Sequence, residues 1–256
     1  MRGREMSEIK GKVSIPNGYF LKMAQHDYED YKTALPREFY QNSIDAGAKS
    51  IRVSVKDEEV IIEDDGCGMT MDILMNKLLV LGGSHKAEGS VGAFGKAKEL
   101  LFFSWESYTI RTGNILVEGT GADYSITEMQ DSIKGTTCKI KVTDDELPIY
   151  NFRNVATKMQ TKAKIYINDK LVECDRKRGS HSHRVEDIGT IYQAKNVESY
   201  YMEVRINGIW IFSRYVGSGL GTLILELDGA SVNILTSNRD GFKWEVNQKI
   251  SLFYKI

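Results

Sequence analysis

Glycine stands at positions 66, 68, 82, 83, 89, 92 and 95, with an alternating strand pattern before the run and a helical pattern after it. Glycine at this density works against regular structure and lets backbone approach a ligand closely. Where such a segment opens a helix, it presents free N–H groups and the positive end of the helix dipole, which suits phosphate. The stretch Gly89-Ser90-Val91-Gly92-Ala93-Phe94-Gly95-Lys96-Ala97-Lys98 is not a P-loop. Five residues separate Gly89 from Gly95-Lys96, and Ala97 stands where Ser or Thr is required. Neither glycine cluster has the G-x-G-x-x-G spacing after a strand that marks a dinucleotide fold. Phosphate binding here belongs to another architecture.

The surrounding pattern predicts a helix over 17–35, a break at Pro36, and a second helix to about Gly47, with Pro36 in its first turn. Ile51, Val53 and Val55 alternate with polar residues, and Asp57-Glu58-Glu59 turns the chain into Val60-Ile61-Ile62-Glu63-Asp64, a hairpin ending in carboxylates. A short helix near 71–81 and another from Gly95 to Phe103 follow. Residues 107–142 read as three or four short antiparallel strands, with Thr112-Gly113-Asn114 and Gly119-Thr120-Gly121 as turns. A helix near 150–163, a hairpin (Lys164 to Ile167, Lys170 to Glu173), a polar stretch over 175–187 and further strands complete the chain. The expectation is an α+β protein: 1–150 as a two-layer unit with a mixed, mainly antiparallel sheet and helices on one face, then 151–256 as a smaller α/β unit, with the boundary between 145 and 185.

Composition excludes several classes. The 256 residues carry 34 Lys+Arg against 35 Asp+Glu, so no global field draws nucleic acid or anionic membrane. Apolar runs such as Leu78-Leu79-Val80-Leu81 fall far short of the roughly 18 residues that span a bilayer. Cys67, Cys138 and Cys174 are scattered and odd in number, which argues against a disulfide framework and for a reducing compartment. Met1 to Lys10 lacks an apolar signal segment, so a cytoplasmic location is expected.

Glu38, Asn42 and Asp45 fall within an arc of roughly 60° on the second helix, with Tyr40, Ile44 and Ala48 on its far side. The plain reading is a solvated face. The same trio also supplies a base for water, an oxygen ligand for Mg²⁺ and a second carboxylate. Asp64-Asp65-Gly66-Cys67-Gly68-Met69 directly follows a strand. It reads as a turn, or as backbone approaching a flat ligand while a carboxylate accepts from an exocyclic amine. Gly135-Thr136-Thr137 opens an alternating strand.

In this order, E-x-x-x-N-x-x-D-A (Glu38, Asn42, Asp45, Ala46), D-x-G-x-G (Asp64, Gly66, Gly68), a Ser-x-Lys lid (Ser84, Lys86), G-x-F-G (Gly92, Phe94, Gly95) and G-T-T resemble the GHKL ATPases. That superfamily has the Bergerat fold and includes gyrase B subunits, chaperones of the ninety-kilodalton heat-shock class, histidine kinases and MutL, with MORC proteins close by. The resemblance covers about residues 20–142. Glu38-Phe39-Tyr40-Gln41-Asn42-Ser43-Ile44-Asp45-Ala46-Gly47-Ala48 looks most like MutL, and Gly92 to Lys98 looks more like the chaperones and MORC proteins.

The resemblance implies Mg²⁺-dependent ATP binding and slow hydrolysis. Glu38 would be the general base and Asn42 the Mg²⁺ ligand, with Asp45 beside them. Asp64 would accept from the adenine amino group, supported by Thr137 next to Thr136, with Gly66, Gly68 and Met69 lining the base. Gly92, Ala93, Phe94, Gly95, Lys96 and Ala97 would donate N–H groups to the phosphates, and Lys86, Lys96 or Lys98 would neutralise charge. Ala97 departs from the third glycine common in the family. Family behaviour further implies lid closure over 70–97, coupling to a transducer-like second domain, and a homodimer on ATP binding. The alternative is a nucleotide-gated regulatory module without turnover, such as phage rIIA-like proteins in a host cytoplasm. A GHKL protein kinase fits less well, because the D-A-G-A continuation and the scarcity of His favour the hydrolase branch.

Leu235-Thr236-Ser237-Asn238-Arg239-Asp240 looks similar to the arginine-bearing segment of the chaperone middle domain, which nominates Arg239 for the γ-phosphate; a plain turn arginine is the competing reading. Gln160-Thr161-Lys162 reads as a helix end. Cys174, His181 and His183 lack zinc-ligand spacing. Arg176-Lys177-Arg178 reads as a solvated loop and Gly217 to Gly221 as a flexible turn.

Overall fold

The computed structural model describes residues 15–16, 18–81, 97–142, 149–194, 200–217, 221–236, 239–243 and 250. Helix α1 (Tyr19–Asp27) ends at Tyr28, and α2 (Tyr31–Asp45) starts behind Asp30. The Asp30 side chain accepts from the Thr33 amide at 3.1 Å, an N-cap that sets where α2 begins. The break therefore falls at 28–30, not at Pro36. Pro36 lies inside α2, past the first turn, where its ring forgoes one intrahelical donor. At the other end Gly47 (φ 73°) closes α2, with Gly47 N donating to Ile44 O at 2.9 Å and Ala48 N to Ser43 O at 3.0 Å. That pairing is a Schellman cap, and it explains the Ala-Gly-Ala that ends the helix.

The first sheet has the order β3-β4-β2-β1-β5-β6, antiparallel throughout except where β1 pairs with β5. Strands β1 (Ser50–Lys56) and β2 (Glu59–Asp64) form the expected hairpin, and Ile51, Val53, Val60 and Ile62 face inward. Strands β3 (Ser107–Thr120) and β4 (Asp123–Lys141) are two long strands where several short ones were expected. Gly113 (φ 55°) sits at a register shift rather than in a turn. The Arg111 guanidinium stitches that irregularity by donating to the carbonyls of Gly113 (2.6 Å) and Asp131 (2.7 Å). A single turn at 121–122 joins the two strands.

Helical segments cover one face of this sheet. Between β2 and β3, α3 (Met71–Ile73) runs into a π-helical turn at Leu74–Leu78, and a second π turn spans Glu99–Phe103. Leu35, Phe39 and Tyr40 of α2 meet Phe102, Phe103, Tyr108 and Phe152. The rings cross edge to face at Phe39–Phe102 (6.0 Å) and Tyr40–Phe152 (6.2 Å). Each such side chain contributes roughly 1.5–3 kcal/mol by leaving water.

Helix α4 (Ile149–Lys158) packs on α2 and leads into β5 (Lys164–Ile167) and β6 (Lys170–Val172), which extend the first sheet beside β1. The second sheet has the order β10-β9-β11-β8-β7, with β7 at Arg178–Val185, β8 at Gly189–Ala194, β9 at Tyr201–Ile206, β10 at Ile209–Tyr215 and β11 at Leu223–Leu227. The chain passes from the first sheet to the second over residues 173–177. Two contacts near α4 lie at this seam. Gln160 N donates to Gly208 O at 2.8 Å, and the Lys158 ammonium lies 4.5 Å from the centre of the Trp210 ring. No helix among the described residues is long and apolar enough to cross a membrane.

The placement of α2 gives a direct test. Asp30→Ala removes the cap and is expected to lower stability by about 1 kcal/mol in chemical denaturation, whereas Asp30→Ser is expected to lose much less. An Ala variant as stable as the parent would place the helix start elsewhere.

Candidate functional site

Glu38 is not on a solvated face: it is 4% exposed, while Asn42 and Asp45, further along the same side of α2, are exposed. Burial of a carboxylate needs compensation, and two arginines supply it. Arg37 Nη2 donates to Glu38 Oε1 at 3.0 Å. Arg239 Nη1 stands 3.9 Å from the same oxygen and donates to Gln41 Oε1 at 2.8 Å. Arg37 (4% exposed), Gln41 (0%) and Arg239 (5%) are as buried as Glu38. Asn42 leaves a carboxamide oxygen at the surface one turn on, the kind of single protein ligand Mg²⁺ takes when phosphate and water fill its other positions.

Arg239 reaches this cluster from a tight loop of the second unit. Leu235 and Phe242 pair across it, Arg239 N donates to Thr236 O at 3.1 Å, and Phe242 stacks edge to face on Phe212 of β10 at 5.0 Å. Arg239 sits at φ 56°, a left-handed conformation costing an L-residue about 1–2 kcal/mol. Strain of that kind persists where surrounding contacts hold it, and here the contacts are to α2. Burial lowers the guanidinium's pKa, and the Glu38 carboxylate counters that. Burial, followed by the Glu38 charge, pushes the Tyr28 phenol well above its ordinary range, so it stays protonated.

Asp64 ends β2 at the C-terminal end of α2. Its Oδ2 accepts from Ser43 Oγ at 3.0 Å and its Oδ1 from Gly66 N at 2.9 Å, which leaves the carboxylate oriented and partly exposed. The loop after it is packed too tightly for side chains. A Cβ on Gly66 would lie 2.9 Å from Ala46 Cβ, and one on Gly68 (φ 70°) would lie 2.8 Å from Thr112 Oγ1. Gly135 (φ 75°) is tighter still, with its Cβ position 1.9 Å from Asp64 O. Thr112 joins the two strands to the loop by accepting from Met69 N (2.8 Å) and donating to Gly135 O (3.1 Å). Register places Thr136 opposite Asp64 on the covered face and Thr137 opposite Glu63 on the other face. Thr136, not Thr137, is therefore the neighbour of Asp64.

Of the phosphate-side residues, Lys86, Gly92, Ala93, Phe94, Gly95 and Lys96 lie outside the described residues. Ala97 is half-buried. Lys98 is buried, and its ammonium donates to the carbonyls of Lys77 (2.6 Å) and Val80, so it caps the preceding helical turn; burial lowers its pKa.

The sequence reading omitted Arg37, Gln41, Ser43 and Thr112. Arg37 and Gln41 form an i, i+4 polar pair on α2, a spacing that could have drawn attention to them. Nothing local marks Ser43 or Thr112, whose roles depend on a neighbouring strand. A cleft of about 440 Å³ between α2, α4 and β10, lined by Thr33, Arg37, Lys158, Trp210 and Asp240, is separate from the Asp64 loop.

Two outcomes follow from this geometry. Gly135→Ala is expected to cost at least about 2 kcal/mol in thermal unfolding, well beyond Gly47→Ala, which has the same backbone sign but open space around it. Equal losses would contradict the close approach at Asp64. The second concerns Asp65, whose Oδ1 accepts from Ser50 N (2.9 Å) and Lys49 N (2.6 Å), contacts that hold its carboxyl below the usual range. A depressed acid stabilises the fold above the unfolded value near pH 4 and loses that contribution as pH falls through the folded value. Asp65→Ala should flatten the stability profile below about pH 4, and an unchanged profile would discount the contact.

Residues 31–118 match the family model of the histidine kinase-, DNA gyrase B- and HSP90-like ATPases. No curated protein matches the chain by sequence. In structure the chain is similar to the ATPase region of Saccharomyces cerevisiae topoisomerase II, with a TM-score of 0.52 and 13% identity over 71% of this chain and 61% of that one. The chain thus spans about three-fifths of that structure, and at this identity the likeness concerns the fold. The E-x-x-x-N-x-x-D-A helix and the D-x-G-x-G loop both lie on the segment, residues 31–118, that matches the histidine kinase-, DNA gyrase B- and HSP90-like ATPase family.

Proposed function

We propose that the protein binds Mg²⁺·ATP beside α2 and the Asp64–Met69 loop, and hydrolyses it slowly. The observation that carries this reading is the meeting of Glu38 and Arg239, one from each unit, in a single buried cluster. A surface arginine in a plain turn has no reason to lie 3.9 Å from a buried carboxylate.

In this reading Asp64, oriented by Ser43 and Gly66 N, accepts from the adenine amino group, with Thr136 beside it and Met69 against the ring. Asn42 offers its carboxamide oxygen to the metal, and Asp45 adds negative charge one turn on. Mg²⁺ would supply neutralisation of the phosphate charge. Glu38 orients and deprotonates the attacking water, and Arg239 stabilises charge developing on the transferred group. Such chemistry asks the protein mainly for position and electrostatics. Since Lys98 is committed to carbonyls of the preceding turn, Lys86 and Lys96 are the cations proposed for the phosphates. Lid closure, coupling to the second unit, dimerisation on ATP and a cytoplasmic setting belong to the same proposal. One observation favours the alternative of a nucleotide-gated module: Glu38 already holds an arginine at 3.0 Å.

The test uses isosteric changes, because Glu38→Ala would leave two buried arginines without a carboxylate. Asp64→Asn is expected to weaken ATP binding by about tenfold or more in calorimetry, as an acceptor-only carboxylate becomes a mixed amide. Glu38→Gln is expected to bind ATP and lose at least about 100-fold in turnover. Unchanged affinity in the first variant would move the base-binding site. A parent chain that binds Mg²⁺·ATP without phosphate release would decide for the module.

A further inference from the structure

We infer that Arg37 is a positioning residue that makes the orientation of Glu38 depend on the second unit. The inference rests on the ATPase reading above and extends it to a residue outside the sequence motifs. Arg37 sits one position before Glu38, 4% exposed, and its guanidinium works in two directions. Toward the first unit, Nη2 donates to Glu38 Oε1 at 3.0 Å. Toward the second, Nη1 donates to Ile211 O of β10 at 2.9 Å and to Arg239 O at 3.3 Å.

A guanidinium is a rigid planar fork, so fixing one nitrogen on backbone fixes the direction of the other. The carbonyls of Ile211 and Arg239 therefore set the angle at which Arg37 meets Glu38. The reciprocal contact runs the other way: Gln41 of α2 holds the head of Arg239 at 2.8 Å. Each unit thus anchors a charged side chain that the other depends on. Movement of β10 against α2 by about an ångström would take the Ile211 and Arg239 contacts beyond hydrogen-bond range and let the Arg37–Glu38 pair turn. Misplacement on that scale at a reacting group is costly in rate. The Asp64 carboxylate takes its bonds from Ser43 and Gly66, apart from this linkage, so adenine binding is not expected to sense it.

The experiment compares the full chain with Arg37→Lys and Arg37→Gln, after thermal melts have verified each fold. Lysine keeps the charge but not the fork, and glutamine keeps polarity without charge. For Arg37→Lys the expected result is a kcat reduced about tenfold or more, with KM and the calorimetric ATP affinity within about twofold of the parent. Should lysine unfold the chain, glutamine carries the same comparison. The double variant Arg37→Lys/Arg239→Lys should be no slower than the slower single variant by more than about twofold, because the two arginines act as one unit. A wild-type kcat in Arg37→Lys would overturn the inference, as would a loss residing in KM or additive effects in the double variant. A parent chain that fails to bind ATP would refute the ATPase reading instead. A parent that binds without turnover would remove the reaction Arg37 is inferred to position.

Discussion

The structure turns on a buried charge cluster whose members come from both units. Arg37 and Arg239 compensate the buried Glu38 carboxylate, and Arg37 is itself satisfied by the backbone of β10 and of the Arg239 loop. A buried ion group of this kind is poor value as a source of stability, since desolvation consumes much of the attraction, yet breaking it by removing one member costs roughly 3–5 kcal/mol. What it provides is registration. Helix α2 and the second sheet can come together in one arrangement that leaves no charge stranded, and in that arrangement Arg239 faces Glu38. The left-handed backbone at Arg239 belongs to the same arrangement, its cost offset by the contacts of its side chain and carbonyl.

A second constraint acts at the other end of α2. Gly66, Gly68 and Gly135 allow the Asp64 loop to lie against Ala46, Thr112 and the start of the G-T-T strand with no room for a β-carbon. The Schellman cap at Gly47 ends the helix where that loop passes, and Cys67 N donates to Ala46 O at 2.9 Å to close the contact. Orientation of Asp64 is therefore a consequence of helix capping, strand register and glycine packing acting together. Two stretches of one helix thus serve different tasks, with the carboxylate of Asp64 at its C-terminal end and the interunit charge cluster nearer its middle.

Much of this was legible from residue spacing. The 60° arc of Glu38, Asn42 and Asp45, the hairpin ending in Asp64 and the glycines after it all depend on local periodicity, which a sequence displays directly. Arg239 was nominated through resemblance, and its contact with Glu38 depends on packing across 200 residues of chain. The break before α2 was misplaced because Pro36 is a stronger sequence signal than the single capping bond of Asp30. The strands of 107–142 were cut too short because Gly113 looks the same in a turn and in a register shift. Thr136 and Thr137 could be told apart only by the register of β4 on β2, since one residue of slip exchanges the faces. Arg37 went unnoticed because its partners are backbone carbonyls, and a backbone acceptor has no signature in sequence.

If Arg239 stabilises the transferred phosphate beside Glu38, the phosphate end of a bound nucleotide reaches the second unit through that contact, while the adenine end at Asp64 does not. Hydrogen–deuterium exchange on the full chain, with and without Mg²⁺·ATP, addresses it most directly. Added protection is expected in the 64–69 loop together with a change in exchange over 209–212 and 239–243. Protection confined to the first sheet, with the second unit silent, would contradict it.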